Sequence, residues 1–232
     1  MQWKWIIIML YVTYGGMENL KFNGYLTRMK DIYFHAISAF YLYKGLSNIK
    51  NTNVVGNDKA IKNVAAMNKA KWFFQAAWEC SRYSWLTQLS KLFDESKESL
   101  NLTNMINYVE SNKKHLGKDF FLDNNEGSFL IDELLKRYKW VEKKDIESLR
   151  QILEENNMII ERLKTYRDEN LAHEDKKKTE VTITIEEIDK LFEIAKEILN
   201  TLSYKINFDT TEYDHIEKYI KKDIEKIIKS LG

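Results

Sequence analysis

Residues Asp145–Asp175 read DIESLRQILEENNMIIERLKTYRDENLAHED, and their periodicity decides the class of the chain. A stripe at helical spacing runs through Ile146, Leu149, Leu153, Asn156, Ile160 and Leu163, which predicts an α-helix with one buried face. Asp145 stands where an N-cap is wanted. The next residue on the stripe is Arg167. A guanidinium on a buried face is costly unless it meets an anion or a hydrogen-bonding partner. Asp168 adjoins it but points about 100° away around the helix, and His173, six positions on, lies about 240° away on an ideal helix. The three converge only if the helix end distorts near Asn170, or if a second copy of the helix faces the first.

Outward from this stretch the same period recurs. Leu20, Tyr25, Met29, Ile32, Tyr33, Ala36, Phe40 and Tyr43 mark a helix over about 20–47. The segment SNIKNTNVVGND, 47–58, interrupts it, and Asp58 reads as the N-cap of a long second helix over 59–93. That helix is aromatic-rich and apolar on more than one face, so it is expected to be the central, most buried element. Trp72, Phe73, Phe74, Trp78, Tyr83 and Trp85 accordingly read as core rather than as a platform for stacking bases. A short amphipathic helix follows over 100–112, a polar loop over 113–128 and another short helix over 129–144. VTITI, 181–185, reads as briefly extended, and Thr184 with Glu187 forms a capping box opening a helix to about 206. The last helix, over about 210–231, is lysine-rich on its outer face. The sum is an all-α chain: a single-domain helical bundle of about five to seven helices spanning 17–232.

Composition narrows the function classes. The 232 residues contain no proline and only eight glycines, which favours long helices over tight turns. Lys plus Arg (36) nearly cancels Asp plus Glu (35), so no global field holds nucleic acid and any such contact must be local. The single cysteine, Cys80, excludes an internal disulfide framework and a cysteine-rich zinc site and fits a reducing cytoplasm. The apolar run Trp5–Val12 is far shorter than the roughly 20 residues of a spanning helix, so no stable membrane association is expected. Residues 1–16 read first as an extension ahead of Met17, then as a short helix or strand packed on the domain, and last as a membrane anchor.

An arginine, a carboxylate and an imidazole in one cleft suit phosphodiester cleavage without a metal. The imidazole exchanges a proton near neutral pH, the guanidinium stabilises charge on a phosphorane, and the carboxylate orients either one. The competing reading is an Arg167 ion pair at a helix end, with His173 solvated. A second pair, Arg28 and His35, shares a helical face. Lys176, Lys177 and Lys178 read either as RNA-phosphate contacts or as a solvated loop run. His115 and His215 have no metal-ligand spacing and read as surface residues.

YRDENLAHED, 166–175, resembles the signature of the HEPN superfamily: an arginine, a polar residue and a histidine near the end of a core helix. WFFQAAWECSRYSWLTQLSKLFDESKESLNLTNMI, 72–106, and TIEEIDKLFEIA, 184–195, resemble segments of its abortive-infection AbiU-like branch, in the same order. The likeness covers roughly Met67 to Tyr204. It implies an HEPN-like bundle that pairs through its motif helices, with a composite cleft at the two-fold. It further implies a metal-independent endoribonuclease of phage defence or a toxin–antitoxin system. On that basis Arg167, Asp168 and His173 are the catalytic candidates, RNA is the substrate, and a homodimer acts without metal or cofactor in the cytoplasm. An antitoxin protein is a candidate partner, although Asp175 stands where one subgroup carries the tyrosine its antitoxin modifies. Arg28 and His35 do not match, because Met29 occupies the polar position. The alternative is a non-catalytic helical module that binds a partner protein or RNA.

Overall fold

The computed structural model describes the backbone of residues 2–172 and 181–232 and the side chains of 21–171 and 181–232. Among these residues there are eleven α-helices, one π-helical turn and no strand. In order they are α1 (Gln2–Asn48), α2 (Thr52–Val55), α3 (Asn57–Asn68), α4 (Lys71–Leu92), α5 (Leu102–Asn112), α6 (Lys118–Asn124), α7 (Ile131–Arg137), α8 (Lys143–Glu155), α9 (Asn157–Arg167), the π-turn (Asp168–Ala172), α10 (Ile185–Asn207) and α11 (His215–Leu231). No described helix is long and apolar enough to cross a membrane.

The all-α class holds, and the helix count exceeds five to seven for local reasons. The helix expected over 59–93 divides where Lys69 and Ala70 donate to the carbonyls of Ala66 and Met67, tightening the chain into a turn. Asp58 does not cap α3. Gly56 takes that place, at φ +81°, and Asp58 lies inside the first turn. The Asp145–Arg167 helix divides at Asn156, whose amide donates back to the Ile152 carbonyl at 2.7 Å and competes with the helical ladder. Asp145 lies three residues inside α8 rather than at its cap, and its carboxylate accepts from the Glu142 N–H at 2.8 Å. The expected loop over 113–128 contains α6, formed around the buried Phe120 and Phe121.

The chain folds into two compact units. The first comprises Met1–Asp31, Lys91–Lys164 and Thr182–Thr211. Its spine is α10, which packs on α5, α6 and α8 and buries Ile188, Leu191, Ile198, Leu199 and Leu202. The predicted capping box is present: the Glu187 N–H donates to Thr184 Oγ1 at 3.2 Å, and the Thr184 N–H donates to the Glu187 carboxylate at 3.0 Å. Phe121 and Tyr138 pack at 4.2 Å. The Tyr138 hydroxyl donates toward the carbonyls of Lys205 and Ile206, at 2.8 and 3.2 Å. Burial pushes that phenol well above its ordinary pKa.

The second unit comprises Ile32–Ser90, Thr165–Val181 and Glu212–Gly232. In it α3 packs on α2 and α11, around a core of Leu46, Ile49, Ala66, Phe74, Ile224 and Ile228. The aromatic run of α4 is not all core. Phe74 and Trp85 are buried, whereas Trp72 and Phe73 are 78% and 61% exposed and Tyr83 is also exposed. Three consecutive residues fan across about 200° of a helix, so a neighbour on one side covers only one of them.

Candidate active site at the end of α9

The stripe along α8 and α9 is buried at Ile146, Leu149, Asn156, Ile160 and Leu163, and it ends at Arg167. From Asp168 the helix widens to an i→i+5 register that lasts through Ala172. Asn170 explains the change. Its side-chain amide donates to the Tyr166 carbonyl at 2.8 Å and competes for the oxygen an α-turn would use there. The helix is therefore distorted at Asn170, which is one of the two routes by which Arg167 and His173 could converge. His173, Lys176, Lys177 and Lys178 lie outside the described residues.

Arg167 and Asp168 come together. Arg167 Nε and Nη2 both reach Asp168 Oδ1, at 2.8 and 2.7 Å. The 100° offset between adjacent residues does not prevent this, because three methylenes let the guanidinium fold back. The pairing occupies one edge of the guanidinium. Arg167 keeps 32% of its side-chain surface exposed. His115 and His215 are exposed, as expected of surface residues, and Arg28 and His35 are exposed as well.

Sequence reasoning passed over Arg82. It lies four residues after Trp78 and three before the buried Trp85, so the signal that picked out Arg167, an arginine on an apolar stripe, was present here too. Its Nη1 donates to Asn170 Oδ1 at 3.4 Å, which ties α4 to the π-turn. Its guanidinium lies 4.9 Å from the Tyr83 ring centroid and 5.9 Å from that of Trp78. Trp78 is fixed in turn by an Nε1 hydrogen bond to Ser47 Oγ at 2.9 Å and packs on Tyr43 at 5.2 Å. Burial, and then the neighbouring Tyr166, push the Tyr43 phenol above its ordinary pKa, while Arg82 pulls it down. Glu169 Oε1 is sheltered from solvent with no hydrogen-bond partner among the described residues.

Arg167, at the end of α9, pairs with Asp168 of the π-turn, and Arg82, from α4, reaches Asn170 of the same turn; guanidinium groups so placed are able to hold an anion and stabilise charge on it. Among the described residues no group of three or more His, Cys, Asp or Glu side chains is placed to hold a metal ion. A concavity of about 570 Å³ in this unit is elsewhere: Gly45, Lys59, Asn63, Glu217, Lys221 and Ile224 line it, and no motif residue does.

The HEPN family profile described as AbiU2 matches residues 20–227. No curated protein and no solved structure matches the chain.

Proposed function

Since the chain belongs to the AbiU2 family of HEPN domains, we propose that it is a metal-independent endoribonuclease of a phage-defence or toxin–antitoxin system, with a composite site formed by two copies. In this reading the ribose 2′-hydroxyl attacks the adjacent phosphorus. The O2′–P bond forms and the P–O5′ bond breaks, leaving a 2′,3′-cyclic phosphate and a free 5′-hydroxyl. His173 takes the 2′ proton and returns it to the leaving 5′-oxygen. Arg167 stabilises the phosphorane with the guanidinium edge that Asp168 does not occupy, and Asp168 fixes the plane of that guanidinium.

The observation that supports this most is the Arg167–Asp168 pair at the point where α9 passes into the π-turn. π-turns of this kind recur at functional sites. RNA is the substrate, a second copy of the chain is the first partner, and an antitoxin protein is a candidate second one. A specific dimer of this sort buries about 1,200 Å² or more in total.

One observation favours a second reading, the non-catalytic module that binds a protein or RNA: Asp168 already neutralises Arg167. Cleavage of a labelled single-stranded RNA in EDTA separates the two. The parent is expected to leave 2′,3′-cyclic ends and to slow growth when overproduced, and His173→Ala to do neither. A parent that leaves RNA intact, or a His173→Ala form that cuts as well as the parent, removes the ribonuclease reading.

A further inference from the structure

Four of the arginines with described side chains pair with carboxylates: Arg137 with Glu133, Arg150 with Glu110, Arg162 with Glu187 and Arg167 with Asp168. Arg28 is exposed to water. Arg82 differs from all of them. It is half-buried, and its Nε is sealed from solvent without a hydrogen-bond partner among the described residues. No carboxylate among those residues pairs with it. Its contact to Asn170 Oδ1, at 3.4 Å, is at the long limit for a hydrogen bond. Two aromatic rings hold its guanidinium, and one of them, Trp78, is itself anchored to Ser47.

Taking a guanidinium partly out of water costs free energy that ring faces and one long amide contact offset only in part. The same arrangement immobilises the group in advance, so an incoming anion pays little to order it. Such an anion would lie beside Asn170, on the π-turn that begins at Asp168, directly after Arg167.

We propose that Arg82 is a phosphate-binding residue of this site. It holds a backbone phosphodiester of single-stranded RNA next to the one that is cut, and its weak tie to Asn170 is exchanged for, or shared with, that phosphate. This rests on reading the π-turn as an RNA site. It adds a residue from α4 that lies far outside the motif in sequence.

The test uses the full chain and a fluorescent single-stranded oligoribonucleotide with 2′-O-methyl groups throughout, which lacks the attacking hydroxyl and cannot be cleaved. Anisotropy gives the dissociation constant of the parent, Arg82→Gln, Arg82→Met and Arg82→Lys between 50 and 200 mM salt. Loss of one charged phosphate contact is expected to weaken binding about tenfold at low salt and to lower the slope of log K against log salt by about 0.7 in the Gln and Met forms. Arg82→Lys keeps the charge and restores the slope. Circular dichroism and melting show which variants are folded. Gln retains an amide for Asn170, and Met retains an unbranched apolar chain to pack on the rings.

Parental affinity and slope in a folded Gln or Met form overturn the inference and leave Arg82 as a tether for the π-turn. The ribonuclease reading is untouched by that result. Unfolded Gln and Met forms beside a folded Lys form show that the charge serves the fold, and also overturn it. If the variants behave as expected but the parent cuts no RNA, Arg82 holds phosphate in a non-cleaving RNA-binding module, and only the catalytic reading falls. A parent that neither binds the oligonucleotide nor cleaves RNA defeats both.

Discussion

Arg167→Lys is the substitution that separates a catalytic guanidinium from a helix-end ion pair. In the parent, Nε and Nη2 share one oxygen of Asp168, at 2.8 and 2.7 Å, and the opposite edge of the fork remains for a phosphate. Lysine has one nitrogen. It either keeps Asp168 or meets the phosphate, and it does not present two coplanar donors. The loss is that of one preorganised transition-state donor, about 2.7 to 4 kcal/mol of barrier or roughly two to three orders of magnitude in rate. Stability should hardly change. The pair is 32% and 54% exposed, so it contributes less than about 1 kcal/mol to folding, and lysine retains part of that. For a chain of this size 1 kcal/mol corresponds to a melting shift of about 2 to 4 °C. The assay is single-turnover cleavage of a labelled single-stranded RNA, with a melting curve on the same preparation and Arg28→Lys as control. The control is expected to cut within about a factor of a few of the parent, because Arg28 is a solvated surface residue. A folded Arg167→Lys protein that cuts within about threefold of the parent would remove the catalytic role of the guanidinium and reduce the motif to a helix end.

Thr184→Ala removes the acceptor of the Glu187 N–H and is expected to cost about 1 kcal/mol in urea unfolding; an unchanged midpoint would mean the capping box adds nothing. The Thr184 N–H, and then Arg162, hold the Glu187 carboxyl below its usual range. Its stabilisation is therefore present above the unfolded value near pH 4.3 and is lost as pH falls through the lower folded value. Glu187→Gln should flatten the acid limb of stability, and an identical pH profile for parent and variant counts against the pairing. The raised Tyr138 phenol works the other way. Its neutral form is favoured by the fold, so its contribution is full below about pH 10 and falls as pH rises beyond it. Tyr138→Phe should cost about 1 to 2 kcal/mol at neutral pH and lose less stability above pH 10 than the parent; a steeper alkaline decline would contradict this. Leu199→Ala, at a fully buried position on α10, should cost about 2 to 5 kcal/mol, and a loss below 1 kcal/mol would mean that α10 is not the spine of its unit.

Whatever depends on neighbours three and four residues apart is legible in the chain before it folds. The all-α class, the buried stripe ending at Arg167 and the capping box at Thr184 are all visible there, because helical period and capping are local properties. The angle between Arg167 and His173 asked for either a distortion near Asn170 or a facing second copy of the helix, and it did not choose between them. Tertiary structure decided which of two faces a helix buries and what meets an odd residue on it. Trp72, Phe73 and Phe74 look alike in sequence, but only Phe74 faces the core cluster with Leu46 and Ile224, because α1 and α11 cover one side of α4. Asn156 fits the stripe yet breaks the helix, since its amide finds the Ile152 carbonyl. Arg82 and Asn170 are 88 residues apart and meet only once the chain is folded. Periodicity places a side chain on a face of its own helix. The partner across that face comes from a distant segment, and the pairing of segments is set by the packing of the whole unit rather than by any one stretch of it.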